Sequence, residues 1–390
     1  MPPKAWPFGY KHSEDNAMAN ITLAPWQVQD ELIEQPSWGG RYIIDLKGLS
    51  EDPQWHGKRV GQSYELARAS KLINPQTGDA YALVDLIAQD KIGLLGQPVV
   101  DKYGADVSLL IKLTQAKGNS FQVHLPEGKT LGHWQPKPEA WFYLAPGLYT
   151  FGLKPGTSFE AYSRVLHTLD DEMQRLSREV KMGKRTVDNA RKQMQERIQI
   201  LDPYAYVNMV VAQTDDLIDL TPGAIHHSWE QDDARFPDGN LVYEVQIDVP
   251  DDKCSMRGFD KGKFLDDGSV RPTHVADYLA TIGPDAEHND LSRHIRKPQV
   301  LEDLNGCKTE SLFRTPYFNL DRLTTNPGGS LEQSLADGFH HLFVHQGMAK
   351  IGDRTLEQGH SYVLPAALGR YAVEATETPV VLLKTFLPVG

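Results

Sequence analysis

Residues able to do chemistry gather first in the stretch Ser120-Phe121-Gln122-Val123-His124. Read as a strand, two-residue alternation puts Ser120, Gln122 and His124 on one face and turns Phe121 and Val123 toward a core. Lys137-Pro138-Glu139 follows, and alternation again gives Lys137 and Glu139 a common face. Much later, the run Leu220-Thr221-Pro222-Gly223-Ala224-Ile225-His226 offers another histidine. Gln122, His124, Glu139 and His226 together supply an amide oxygen, two neutral imidazoles and a carboxylate. That donor set suits one zinc ion with a position left open, the pattern of catalytic rather than structural sites. The plainer alternative is that Gln122 and His124 are hydrogen-bonded strand residues, because short motifs recur by chance.

A second group of polar residues stands out on the same logic. Leu241 to Ile247 alternates as a strand, with Val242, Glu244 and Gln246 on one face. An inward carboxylate is costly unless it is paired or functional, so Glu244 draws notice on its own. Lys112, Ser120, Lys137 and Arg257 are the groups able to meet an anion near such a site. Arginine offers a bidentate fork, lysine a point charge, and serine one hydroxyl. Any one of these cations read alone is a surface charge; Lys112, at a strand end, reads as a solvated edge residue.

The elements that must position these residues are mostly strands. Val107-Leu109-Ile111, the turn-punctuated region from Ser120 to Leu153, Tyr206 to Val211 and Leu241 to Ile247 read as antiparallel strands. Ile43-Ile44-Asp45-Leu46 reads as a short strand or the approach to one, and Tyr81 to Leu95 as helix. Between 158 and 202 the pattern changes. Tyr162, Val165, Leu166, Leu169, Met173, Leu176 and Val180 form a helical stripe, Met182-Gly183-Lys184 breaks it, and Val187, Met194, Ile198 and Leu201 resume it. The spacing predicts a helical hairpin inserted between strands. Its charges alternate in sign, as on a solvated face. Pro272 to Ile282 predicts a short helix, 283–312 a polar linker, and 313–390 a second, smaller β-barrel. His340, His341 and His345 lie on one strand there, with no carboxylate on a clearly facing strand.

Taken in order, these segments resemble the type I phosphomannose isomerases, zinc-dependent cupins. The resemblance rests on Trp38-Gly39-Gly40, Gly61-Gln62-Ser63-Tyr64-Glu65-Leu66, Leu109 to Leu113, Ser120 to His124, Lys137 to Phe142, Pro222 to His226, and Leu241 to Gln246. It implies a mainly β fold with a helical insertion, a double cupin of two jelly-roll β-barrels. The catalytic barrel would comprise 1–157, with an N-terminal arm, and 203–282; the inserted hairpin 158–202; the linker 283–312; and the C-terminal cupin-like barrel 313–390, which is not catalytic in the family. It also implies zinc held by Gln122, His124, Glu139 and His226, where the Pro-Gly-x-x-His match fixes His226 rather than His227 as ligand. Lys112, Ser120, Lys137 and Arg257 match the positions that hold the sugar phosphate. The implied reaction interconverts mannose 6-phosphate and fructose 6-phosphate through a cis-enediol. Glu244 would act as base, while Lys137 and Arg257 anchor phosphate and stabilise developing charge.

Two departures bear on substrate choice. The connection between His124 and Glu139 is shorter than usual in the family, and Leu125 stands where a proline is expected, which should open the rim of the site. The segment Ile247 to Met256 is different and longer, and Lys253 occupies the position of an expected aspartate; Asp251 or Asp252 could replace it after a loop shift. The competing readings are an isomerase of another phosphosugar, an iron-dependent cupin oxygenase, which the same two-His, one-carboxylate set would suit, and a non-catalytic sugar-binding metal cupin.

Composition narrows the class. A chain of 390 residues, 40% hydrophobic and 24% charged, is long enough for two or three domains with full cores. A net charge of −12 with no basic stripe argues against nucleic acid as the main partner and leaves a small sugar phosphate as the expected one. Cys254 and Cys307 are the only cysteines, too few for a disulfide framework or a thiolate zinc site, as in a reducing cytoplasm. The first residues have no apolar core of a signal peptide, and no apolar run is long enough to span a bilayer, so no membrane role is expected. A monomer and a homodimer both fit.

Overall fold

In the strand Leu109–Ala116 every residue is buried, and alternate residues are buried for opposite reasons. Leu109, Ile111 and Leu113 point into an apolar layer with Leu241, Tyr243, Val245, Ala140 and Phe142. Lys112 and Thr114 point the other way, with Glu244, Gln246, Glu139 and Trp141. A sheet buried on both faces accounts for the near-continuous apolar character of these strands.

This is a computed structural model, and it describes residues 21, 23–221, 226–283 and 288–390. The strand above belongs to a seven-stranded sheet with spatial order Ile295–Arg296, Leu217–Asp219, Glu139–Tyr143, Asn240–Ile247, Leu109–Ala116, Val60–Leu66 and Glu31–Glu34. Its pairings are antiparallel, among them Glu244 opposite Lys112 and Gln246 opposite Glu139. Gly239 turns the chain into Asn240–Ile247 with φ of 75°, and a Cβ there would sit 2.5 Å from the Ala116 carbonyl oxygen. Only glycine meets both demands.

Two smaller sheets face the polar side: Gly147–Leu153 between Val207–Ala212 and His226–Trp229, and the pair Phe121–Val123 with Met256–Phe259. Trp141, Tyr143, Tyr149, Phe151, Trp229 and Val242 fill part of the space between the layers. Phe121 and Val123 lie on the outer side, among the residues of the helical hairpin. The hairpin is Phe159–Lys181 and Val187–Leu201, capped by Ser158 and Thr186, whose hydroxyls accept from Ala161 N at 3.2 Å and Asn189 N at 3.3 Å. Its stripe from Tyr162 to Leu176 is buried, and its outer charges pair with each other, Arg175 with Glu172 and Glu179.

The other face of the seven-stranded sheet packs on a nine-stranded sheet built mainly from the C-terminal part of the chain. Tyr243 stacks on Phe343 with ring centroids 5.5 Å apart. Leu342, Val344 and Leu382 point away from that contact into a further core closed by a four-stranded sheet. The architecture is thus mainly β, as two packed pairs of antiparallel layers, the seven-stranded sheet with the two smaller sheets and the nine-stranded with the four-stranded, with the hairpin outside the first pair and the short helices between residues 42 and 103 against the core that joins the two pairs. Among the described residues, hydrogen bonding does not close either half into a continuous barrel. No helix of the described residues is long and apolar enough to cross a membrane.

Three local expectations need correction. Tyr42–Leu46 is a helix, not a strand: it buries both Ile43 and Ile44, which strand alternation would send to opposite faces. Ala80–Ala82 is a strand preceding two short helices, Leu83–Gln89 and Lys91–Leu95. The described part of 283–312 holds Ile295–Arg296, Gln299–Leu304 and the start of Cys307–Arg314 rather than a plain linker. Asn305-Gly306, both at positive φ, joins the last two strands as a two-residue hairpin, the turn that this dipeptide favours. Residues 1–20 of the expected arm and Pro222 to Ile225 of the histidine-bearing turn lie outside the described residues.

Candidate active site

The polar side of the seven-stranded sheet carries the site. Glu244 lies between Lys112 and Trp141 on its two neighbouring strands. Glu244 is 1% exposed and Lys112 8%, and Lys112 Nζ is 3.0 Å from Glu244 Oε2. Lys112 is therefore a buried ion-pair partner and not the solvated edge residue its position in the sequence suggests. Burial raises the Glu244 carboxyl above its ordinary value; Lys112 opposes the rise and Glu139 adds to it. A carboxyl raised in this way, in a closed polar layer, is suited to take up and return a proton.

Glu139 is the second focus. Its Oε2 lies 3.0 Å from Lys137 Nζ and 3.3 Å from His124 Nε2, while its Oε1 accepts from Trp141 Nε1 at 2.5 Å. Burial opposes the charge on Glu139, but Lys137, His124 and His226 hold its carboxyl well below the usual range. His124 is raised to about 9: burial and Lys137 disfavour the imidazolium, and the contacts with Cys254 and Glu139 outweigh them. Lys137 is raised too, against burial, by Glu139, Cys254, Glu244 and Asp251. Lys137 thus feels both carboxylates, which makes one electrostatic unit of the two foci.

The imidazole of His124 is oriented. Its Nδ1 is 2.8 Å from the Cys254 carbonyl, so it donates there and directs Nε2 at Glu139. The His226 ring lies 4.8 Å from that of His124 and meets Trp141 edge-on at 5.2 Å. His227, next in sequence, faces the other way: it bonds Tyr278 Oη, and burial pushes it down to about 3.

Ser120 and Gln122 share the expected face, with Ser120 Oγ 3.5 Å from Gln122 Oε1. Arg257 stands opposite Gln122 in register, yet its guanidinium is turned onto Asp251, Nη2 to Oδ2 at 2.5 Å. Asp251 also accepts from Ser255 Oγ at 2.6 Å, and Arg257 holds its carboxyl below the ordinary value against burial. The short helix Asp251–Cys254 brings this aspartate round to the arginine that Lys253 could not serve.

The fit to a metal can be judged on this donor set. Among the described residues, no three His, Cys, Asp or Glu side chains form a ready cage as they stand. His124, His226 and Glu139 nevertheless converge, and Glu139 is now met by a protonated imidazole and an ammonium, cations that a divalent ion can replace. A ring fixed through Nδ1–H to a backbone carbonyl, with Nε2 left for coordination, is the usual outer support of a metal-bound histidine. The residues fit. Gln122 sits on the same face, and among the described residues its recorded contact is with Ser120. Among the described residues, buried Gln246 Oε1 and Arg257 Nε have no hydrogen-bond partner, and a bound ligand would satisfy them.

Four participants were not assigned from sequence. Trp141 and Gln246 follow from alternation with Glu139 and Glu244, so their signal was present. The Cys254 carbonyl carries none, because a backbone acceptor has no residue type. Asp251 was one of two aspartates in a loop of unknown path.

No protein-family model matches the sequence, nor does any curated protein. Solved structures do match in fold. The mannose 6-phosphate isomerase from Bacillus subtilis has a TM-score of 0.65 and 17% identity, over 93% of this chain and 99% of its own. A zinc-bound mannose 6-phosphate isomerase gives 0.63 and 15%, and a variant of the phosphomannose isomerase from Salmonella typhimurium 0.63 and 14%, each over 93% of this chain and 99% of its own. Nearly the whole chain is superposed in each case, and the likeness is one of fold.

Proposed function

We propose that this chain, which has the fold of the mannose 6-phosphate isomerases, is a metal-dependent aldose–ketose isomerase that interconverts mannose 6-phosphate and fructose 6-phosphate. The observation that carries the reading is the buried layer in which Lys112–Glu244 and Lys137–Glu139–His124 stand side by side. Such a layer joins a carboxyl of raised pKa to cations able to meet a phosphate ester. The two packed sheet pairs correspond, on this reading, to the catalytic and the C-terminal cupin.

Glu139, His124 and His226, with Gln122, would hold zinc, which when bound polarises sugar oxygens and steadies negative charge. The protein's own groups supply the rest. Glu244 lifts the proton from one carbon of the C1–C2 pair and returns it to the other, while the hydroxyl proton passes between the two neighbouring oxygens, so that carbonyl and hydroxyl exchange places through a cis-enediol. Lys112 holds the Glu244 carboxylate in place and limits the rise of its pKa. Lys137 lies between Glu139 and Glu244 electrostatically and, once Glu139 has another cation, is free to meet the substrate. Arg257, oriented by Asp251, has a buried Nε with no partner among the described residues and offers it to the phosphate with Ser120. Closing the polar layer between sheets excludes water, which strengthens each of these contacts.

A coupled assay of mannose 6-phosphate conversion to fructose 6-phosphate, with zinc and with chelator, tests this. Turnover that zinc restores is the expected result. Bound zinc without turnover on any hexose or pentose phosphate would leave a sugar-binding cupin in place of the enzyme.

A further inference from the structure

The two oxygens of the Glu139 carboxylate have different surroundings. Oε1 accepts a hydrogen bond from Trp141 Nε1 at 2.5 Å. Oε2 lies 3.0 Å from Lys137 Nζ and 3.3 Å from His124 Nε2, close enough to pair with their charge, yet no directed hydrogen bond reaches it from the described residues. One oxygen is thus committed to a neutral donor, and the other is met by charge alone.

The commitment of Oε1 is built into the strand. In Glu139–Tyr143, residues two apart share a face, so Trp141 stands beside Glu139 and its N–H reaches back to the carboxylate. An indole offers a single donor and no acceptor, so no change of tautomer can release the bond. The ring itself has little room to turn. It is 2% exposed, lies against Trp229 with centroids 4.9 Å apart and planes inclined by 34°, and meets Tyr149 edge-on at 6.3 Å.

Trp141 also spans the layers that would supply the metal ligands. Glu139 belongs to the seven-stranded sheet, and His226 to the smaller sheet that contains Gly147–Leu153. The same indole bonds one oxygen of Glu139 and packs edge-on against the His226 ring at 5.2 Å. Without its N–H, both oxygens of Glu139 would be open to the Lys137 ammonium, and a metal ion would have to displace a stronger pair.

We propose that Trp141 is a positioning residue of the metal centre: its indole N–H ties down Oε1 of Glu139, so that this carboxylate meets a divalent ion through Oε2 alone and a coordination position stays open for substrate oxygens. This role rests on Glu139, His124 and His226 holding a metal, as in the proposed function; the identity of the sugar does not enter.

Zinc binding by the full-length protein, measured by competition with a chromophoric chelator, tests this with Trp141→Phe, which keeps an aromatic ring and removes the N–H. The Kd for zinc is expected to rise about 10- to 100-fold, the usual cost of losing an outer partner of a metal ligand. Trp229→Phe disturbs the same ring packing and leaves the N–H in place, so its Kd should stay near that of the parent protein. Equal losses in the two variants would reduce Trp141 to a packing role and overturn the proposal, as would an unchanged Kd in folded Trp141→Phe. A parent protein that binds no zinc overturns the metal reading together with it. Turnover is not read here, so failure of the isomerase reading shows in the coupled assay alone. A second measurement needs no variant. In isotope-labelled parent protein, the Trp141 indole N–H, identified by cross-relaxation with the His226 ring protons, should keep its downfield, hydrogen-bonded chemical shift when zinc is added. A return to the position of an unbonded indole would mean that the metal takes Oε1, and the proposal would fall.

Discussion

Glu244 and Lys112 face each other across two central strands with carboxylate and ammonium 3.0 Å apart and almost no contact with water. A buried pair of this kind is poor evidence for stability, but breaking it is costly, since one charge is left uncompensated. Glu244→Gln and Lys112→Met should each destabilise by about 3–5 kcal/mol. The double variant should be less damaged than the sum of the two, with a coupling of about 2 kcal/mol or more in urea unfolding. Additive losses would mean that the two side chains do not interact in the folded protein. Turnover should separate from stability: Glu244→Gln is expected to lower kcat by about 10²–10⁴ with zinc content unchanged.

The raised pKa of His124 sets a pH dependence in the metal-free protein. A histidine whose folded-state pKa lies above its unfolded value stabilises fully below about 6.5 and loses that stabilisation as pH rises through about 9. Unfolding free energy after chelation should therefore fall across that window by about 3 kcal/mol, at roughly 1.4 kcal/mol per unit. His124→Asn should flatten the curve over the same range. The proton on Nε2 competes with any metal ion, so apparent zinc affinity should climb about tenfold per unit from pH 7 toward 9, with proton release visible by calorimetry in buffers of different ionisation enthalpy. A zinc affinity independent of pH would remove His124 from the ligand set.

Asp251 orients Arg257 through a contact of 2.5 Å. Asp251→Asn should lower kcat/KM for the sugar phosphate about 10- to 100-fold, from the loss of a hydrogen bond between charged groups. The effect should fall mainly on KM, and zinc binding should persist. An unaltered KM would show that Arg257 finds its position without the aspartate.

Tyr243 has the opposite task from its neighbour Glu244. Its hydroxyl meets Thr385 Oγ1 at 3.0 Å and His341 Nδ1 at 3.3 Å, on the face turned to the C-terminal sheet. Tyr243→Phe should cost about 1–3 kcal/mol in unfolding free energy. Activity per folded molecule should be preserved, because alternation keeps this side chain out of the polar layer. Lost activity at full folding would show that the sheet transmits the change.

What the sequence disclosed follows from what periodicity can see. Alternation in Leu241–Ile247 puts Glu244 and Gln246 on the face where the structure has them, and the stripe from Tyr162 to Leu176 locates the hairpin. Alternation does not reveal which side chain a face will meet. Lys112 reads as an edge charge because its partner comes from a strand more than a hundred residues later. The guanidinium of Arg257 turns to Asp251 through a four-residue helix, too short for any stripe to disclose. Ile43 and Ile44 mislead for the same reason, as two adjacent β-branched residues suit a strand until tertiary burial demands both at once. Asn305-Gly306 was a legible hairpin signal, masked by the polar residues around it.

The strand Trp26–Val28 lies between Ser361–Leu364 and Lys71–Ile73 in the large sheet, with Trp26 opposite Val363. The beginning and the end of the described chain are thus woven into one sheet. Trp26–Val28 can meet Lys71–Ile73 early, but its partner on the other side, Ser361–Leu364, comes from the far end of the described chain. Such long-range pairing slows folding and prolongs the exposure of unpaired edges. The two halves of the molecule are therefore not strung as independent beads: the large sheet is complete only once Ser361–Leu364 lies beside Trp26–Val28.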